Sequence, residues 1–306
     1  MNNPADYRAN GKLLLAGEYL VLAGACALAL PLRYGQSMNV KTVPGKTIAW
    51  KSIDSSGQWF EAHYHLDTLE IISSSDVETA RVLNRLLTAA RDLQPDFLLS
   101  GSGVSVVVTA DYPLQWGWGS SATLISLVAQ WSGADPFILH HHVSDGSGFD
   151  IACAESRRLI FYQLLQGQPV TQPAIAGEAL KKNTWFCYLG NPQKSSEEVS
   201  AFRETEVAEQ DIREVSDLSV QICRASSGDE LIRMVRLHEI ILGKILKRDP
   251  IGIRYPSFPG AVKSLGAWGG DFAMFVSSSD PGDVSLELTR MGFSTIYRYH
   301  EIAIAS

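Results

Sequence analysis

The sequence is poor in the features that most quickly assign a protein to a class. Its four cysteines, Cys26, Cys153, Cys187 and Cys223, are scattered over 306 residues without a CxxC pair. That spacing speaks against a disulfide framework or a zinc site, and with no secretory leader in view the four are expected to be reduced thiols of a cytoplasmic protein. Charged residues make up only 19% of the chain, and the formal charge is −7 with no stripe of Lys and Arg. A general nucleic-acid binder is excluded on that ground, because phosphate backbones are held by clustered cations. Uninterrupted apolar runs are lacking too. The longest candidate, LLLAGEYLVLAGACALALPL at 13–32, is broken by Glu18 and by two glycines, so it reads as buried strand and turn and not as a membrane span. Repeats and low-complexity tracts are absent.

What the chain does have is 45% hydrophobic residues, enough to bury a core in one large or two medium domains. Residues 11–40 alternate short apolar runs with Gly and Pro, the pattern of buried strands joined by tight turns. In DVETARVLNRLLTAARDL, at 76–93, Ala80, Leu83, Leu87 and Ala90 recur at three- and four-residue spacing, which predicts an amphipathic helix. SVVVTADYP, at 105–113, reads as a strand stopped by Pro113. ATLISLVAQWS predicts a largely buried helix, and DELIRMVRLHEIILGKILKR, at 229–248, a long amphipathic one. Further strands are expected at LIFYQ, TWFCYLG, DFAMFVS and STIYRYH, which makes a mixed α+β protein. The polar stretch LQGQPVTQPAIAGEA, at 165–179, is the expected linker, dividing the chain into halves at 1–165 and 166–306.

Three stretches carry chemistry. In PLQWGWGSSATLISLVAQ, at 113–130, a strand ends, a glycine-rich turn follows and a helix begins. Such a junction aims unpaired backbone N–H groups and the positive helix end at one point, an anion site in which the hydroxyls of Ser120 and Ser121 can meet phosphate or Mg2+. The alternative is a capped helix after a tight turn. The GxxxxGK[ST] pattern is absent. NGKLLLAGEYLVLAG, at 10–24, sets Lys12 before a strand and Glu18 after it, and SDGSGFDIACAESRRLIFYQ, at 144–163, sets Asp150 after a Gly/Ser turn. A cation, a phosphate cradle and an acceptor-activating carboxylate are the parts of phosphoryl transfer. Glu18 has rival readings, since it can bond backbone or pair with Lys12. The run HHH at 140–142 reads as a solvated segment, because adjacent side chains point different ways, and Cys153 as a small buried hydrophobe.

GKLLLAGEYLVLAG, PLQWGWGSSAT and KSLGAWGGDFAMF (263–275) resemble, in order, the first motif, the PxxxGLGSSA phosphate loop and the C-terminal glycine loop of the GHMP small-molecule kinases, the family of galactokinase, homoserine kinase, mevalonate kinase and phosphomevalonate kinase. GSGFDIA at 146–152, the Asp of GAWGGD and GNPQKSSEEV at 190–199 are most similar to the mevalonate and phosphomevalonate kinase branch. The resemblance spans nearly the whole chain. It implies a two-lobed α+β fold, with an N-terminal ribosomal-protein-S5-like half that binds ATP and a C-terminal ferredoxin-like half that completes the acceptor site. It also implies an ATP- and Mg2+-dependent kinase in isoprenoid-precursor synthesis, acting on a small acidic alcohol or its phosphate, with no nucleic-acid or membrane partner. A homodimer is compatible with it. A diphosphomevalonate-decarboxylase-like lyase and a non-catalytic nucleotide sensor are the alternatives on the same fold.

Carried over position by position, the resemblance makes Asp150 the group that orients or deprotonates the acceptor and Lys12 the cation that lowers its pKa. Gly117, Trp118, Gly119, Ser120, Ser121 and Ala122 would wrap the ATP phosphates. Gly266, Gly269 and Gly270 would close the site, and Glu18, Lys194, Ser195 and Ser196 would meet the acceptor. Two departures stand out: Trp118 replaces a Leu of the phosphate loop and Trp268 a Gly of the third motif, so two large rings are expected to border the phosphate path. The Mg2+-binding Glu of mevalonate kinases, eleven positions before the aspartate, is here Leu139, which leaves metal ligation to Ser121 and the phosphates, or to Glu18.

Overall fold

In the computed structural model, which describes residues 5–99, 101–191, 195–266 and 268–304, the helix expected over 76–93 runs Val77–Leu93. Asp76 caps it by accepting a hydrogen bond from the Thr79 amide, and Ala80, Leu83, Leu87 and Ala90 are buried along its inner stripe. A carboxylate at the cap and apolar residues at helical spacing are sufficient cause for both start and orientation. The chain divides into two compact units. One comprises Met1–Gly11, Tyr34–Leu114 and Trp118–Glu155, and the other Lys12–Arg33, Gln115–Gly117 and Ser156–Ser306.

In the first unit the strands Ile71–Ser74, Gly57–His65, Thr47–Asp54 and Gly103–Ala110 lie side by side in that order, followed by residues 36–43 of Ala27–Val43. Neighbours run antiparallel except Thr47–Asp54 and Gly103–Ala110, which are parallel; a parallel pair needs a long connection, and the helix Val77–Leu93 lies within it. In Gly103–Ala110 the buried residues Val104, Val106 and Val108 alternate with Ser105, Val107 and Thr109, the period of a strand with one inner face. The strand ends ahead of Pro113, which has no N–H for a ladder, and the Asp111 carboxylate accepts from the Gly35 amide at 2.7 Å and from Arg8 at 2.6 Å. Trp50, Phe60 and Tyr64 from the sheet close one core with Leu83 and Leu87, and with Ile125, Leu127 and Val128 of the buried helix Ser120–Ser132.

In the second unit, residues 27–29 pair with Ile160–Leu165, which forms a hairpin with Gln168–Pro173. The residues expected as a linker therefore hold a paired strand. Gln166 and Gly167, both at positive φ, make the two-residue turn whose twist matches a hairpin. Pro169 and Pro173 disguise the strand in the sequence, but it is an edge strand, the place where a missing N–H is tolerated. A second sheet orders Ala261–Leu265, Phe272–Val276, Thr184–Tyr188 and Ile296–Arg298, all antiparallel. In chain order the helices Glu209–Arg224 and Gly228–Leu246 follow Thr184–Tyr188 and Pro281–Arg290 precedes Ile296–Arg298, which is the ferredoxin-like βαββαβ arrangement. Trp185, Phe258, Phe275, Val284 and Leu288 fill its core. No helix among the described residues is long and apolar enough to cross a membrane.

Candidate active site

The second unit gathers parts of the three glycine-containing stretches 10–24, 113–123 and 263–275. Lys12 lies inside the strand Ala5–Ala16, not ahead of it, and its Nζ donates to the Gly117 carbonyl at 2.8 Å. Lys12, Trp116, Gly117, Gly266, Asp271 and Phe272 line one small cavity of about 20 Å3, room for a single water molecule. Gly117 has φ +65°, and a Cβ there would stand 1.8 Å from Oδ2 of Asp271. Only glycine lets that carboxylate lie against the loop. The sequence marks Asp271 only by its place directly after Gly269 and Gly270.

Glu18 does not pair with Lys12. Its carboxylate is 3% exposed and bonds Lys263, which is fully buried and donates also to the Ser264 carbonyl at 2.9 Å. A buried ammonium needs such a counterion, since desolvation otherwise removes its charge. Burial pushes the Glu18 carboxyl up, and Lys263 opposes the shift. Glu239 is the second buried carboxylate, 3.9 Å from Lys263, accepting from the Ser264 and Ile251 amides at 3.3 Å each. Burial raises it to about 7, against the pull of Lys263 and with the repulsion of Glu18. His238, also buried, has its pKa driven well down by burial and then by Lys263. Its Nε2 accepts from the Gly17 amide at 3.0 Å, which puts the proton on Nδ1. In this cluster Glu18 is the buried counterion of Lys263, which in turn bonds the Ser264 carbonyl. His238 and Glu239 carry no motif, and Lys263 opens the third stretch without a role assigned to it; a charged residue in an otherwise apolar strand or helix face is the hint of all three.

The rings of the two tryptophans pack against other side chains. Trp118 is fully buried, its ring 5.3 Å from Tyr34 and 5.5 Å from Tyr112. Trp268 packs on the cluster of Tyr19, Leu20, Phe202, Val215 and Leu242, and its Nε1 donates to the Asp249 carbonyl at 3.2 Å. Both rings are large apolar surfaces that gain more from packing than from bordering a wet loop.

In the first unit the helix Ser120–Ser132 starts after Gly119, at φ +85°, and no side chain caps it. A glycine cap leaves the opening amides without a side-chain acceptor, an arrangement open to an anion. Ser121 is exposed at this end. Asp150 is half-exposed in the first turn of Phe149–Glu155, with Oδ1 accepting from the Ile151 amide at 3.1 Å. Of the three histidines expected in solvent, His141 and His142 are exposed but His140 is 2% exposed. Burial lowers its pKa, and the nearby Asp150 carboxylate acts against that. Its place in the last turn of Pro136–Val143, on the face toward Leu139 and the core, explains the burial. Cys153 is buried, as expected. Lys194 lies outside the described residues, and Ser195 and Ser196 open the helix Ser195–Phe202.

The described residues hold no group of three or more His, Cys, Asp or Glu placed for a metal ion. The donor set offered at the helix start is the Ser121 hydroxyl, which fits a Mg2+ that arrives with nucleotide phosphates and keeps its waters, not a cation caged by protein.

No family model matches the sequence, and no curated protein resembles it in sequence. Solved structures do resemble it. The Methanococcus jannaschii mevalonate kinase covers 100% of this chain with 99% of its own, at a TM-score of 0.71 and 13% identity. The Streptococcus pneumoniae phosphomevalonate kinase, in complex with phosphomevalonate and AMPPNP, covers 96% with 99% of its own, at 0.71 and 15%. The L. major mevalonate kinase, in complex with R-mevalonate, covers 100% with 99% of its own, at 0.67 and 16%. The chain has the fold of the GHMP small-molecule kinases, mixed α+β from end to end.

Proposed function

We propose that the protein is an ATP-dependent kinase of small acidic alcohols or their phosphates, with phosphomevalonate or mevalonate as acceptor. The observation that carries this reading is the convergence of Lys12, Gly117 and Gly266, from three motifs far apart in sequence, on one cavity beside Asp271. Full-length likeness to mevalonate and phosphomevalonate kinases supports it. In this reading residues 1–165 bind ATP and residues 166–306 complete the acceptor site. The uncapped start of Ser120–Ser132 and the glycines before it bind phosphate oxygens through backbone N–H groups, and Ser121 holds the nucleotide's metal ion. That Mg2+ neutralises charge on the phosphates. Asp150 accepts the acceptor's proton or orients its nucleophilic oxygen, and Lys12 supplies positive charge. The tryptophan substitutions, the main argument for a non-catalytic sensor, lose their force with both rings packed into apolar clusters.

The test is ADP release with ATP and Mg2+ over mevalonate, phosphomevalonate and diphosphomevalonate. Release with the first or second, and a phosphorylated product, is the expected result. CO2 from diphosphomevalonate would make the protein a lyase instead, and no turnover with any acceptor would overturn the kinase reading.

A further inference from the structure

We propose that Tyr19 is a positioning residue for the glycine loop at 266–270, holding one loop amide through its phenol and tying the loop, through Glu198 and Arg248, to the helix Ser195–Phe202. The inference rests on the kinase reading for the loop's role and on hydrogen-bond geometry for the hold itself. The Tyr19 hydroxyl accepts from the Trp268 amide at 2.7 Å and donates to Oε2 of Glu198 at 3.1 Å. Arg248 grips the same carboxylate with both terminal nitrogens, at 2.7 and 3.3 Å, the paired geometry in which a guanidinium fixes a carboxylate best. The next loop amide, of Gly269, donates to Ser264 Oγ at 2.6 Å. Two successive amides of the loop, those of Trp268 and Gly269, thereby each have a side-chain acceptor. The Trp268 indole adds a bond to the carbonyl of Asp249, the residue after Arg248.

Tyr19 bears strain in this position. Its φ is +62° and ψ −54°, a conformation a bulky L residue adopts only where surrounding contacts over-determine it, and such residues gather at functional sites. Those contacts are visible: the ring is 7% exposed, 5.4 Å from Phe202, and its hydroxyl is used as donor and acceptor at once. Glycine in the third family motif makes the loop pliable; here one glycine is a tryptophan and the pliability is taken up by a phenol. A loop held in place before nucleotide arrives has less to order on binding, and this preorganisation is the advantage Tyr19 confers.

The experiment uses Tyr19→Phe, which keeps the ring and its Phe202 contact, in the full chain. Amide hydrogen exchange of the segment 264–272 is expected to quicken by about tenfold, and the KM for ATP to rise about five- to tenfold, the equivalent of one net hydrogen bond, with kcat within about twofold. Arg248→Gln, at an exposed position, should quicken the same segment to a smaller degree and covers the case in which Tyr19→Phe fails to fold. Unchanged exchange at 264–272 in the folded variant, or in Arg248→Gln if that alone folds, overturns the hold whatever the activity. Quickened exchange with ATP KM and kcat both unchanged overturns the positioning role and leaves Tyr19 a packing residue. If the wild type turns over no acceptor, the kinase reading fails separately, and the exchange result alone decides whether Tyr19 holds the loop.

Discussion

Asp150 is half-exposed and Glu239 is buried, so the two carboxylates answer to different measurements. Asp150→Asn keeps the shape and the local backbone contact. If Asp150 activates the acceptor, kcat should fall by about 10²–10⁴ with the melting temperature nearly unchanged; near-wild-type turnover would reduce Asp150 to a helix-terminus residue. Glu239 is a matter of stability. Its carboxyl is raised to about 7, chiefly by burial, so the folded protein holds that proton more tightly than the unfolded chain does. Its contribution is therefore full below the ordinary carboxylate pKa of about 4.3 and is lost as pH rises through about 7. Glu239→Gln, neutral throughout, should lose less unfolding free energy than wild type between about pH 5 and pH 8. Urea titrations at the two pH values check this, and equal slopes for both proteins would show that Glu239 ionises as freely folded as unfolded. Some slope should remain in the variant, because Glu18 is raised as well.

The helix Ser120–Ser132 depends on an element that is hardly there, a glycine at φ +85° in place of a capping side chain. Gly119→Val puts a branched side chain in a left-handed conformation and beside the opening amides. Calorimetric titration with AMPPNP and Mg2+ should show affinity lost by tenfold or more, as roughly one and a half kcal/mol of binding disappears; equal affinity in both proteins would place the phosphates elsewhere. This junction was legible because a strand, a Gly/Ser turn and an apolar run follow one another within eighteen residues. The amphipathic helices were legible for a similar reason, their periodicity being local. The strand Gln168–Pro173 was not, since its prolines mimic a linker and only its edge position excuses them. Nor was the Glu18, Lys263, Glu239 and His238 cluster: the pairing of one buried charge with another is decided by the tertiary fold, and no spacing rule links residue 18 to residue 263. Sequence reasoning offered Lys12 to Glu18 as the nearest cation, and in the fold each found a different partner.

At the scale of the whole molecule, the division of the chain matters more than its two cores. The second unit is assembled from residues 12–33 and 156–306, with a short contribution from 115–117. Its defining bonds join Gly17 to His238 and Glu18 to Lys263, separations of 221 and 245 residues. Everything in the first unit, by contrast, is complete once residue 155 has been made. Synthesis at about 5–20 residues per second keeps the segment around Glu18 waiting on the order of ten seconds or more for Lys263 to appear. Through that interval an apolar stretch, 13–32, has neither its ion pair nor its covering helices. Loop closure over such distances is also slow in the refolding chain, because its entropy must be spent before the contacts reward it. The ion pair that buries Glu18 thus joins one of the first segments of the chain to be made with one of the last, and the first motif cannot complete its burial until nearly the whole chain exists.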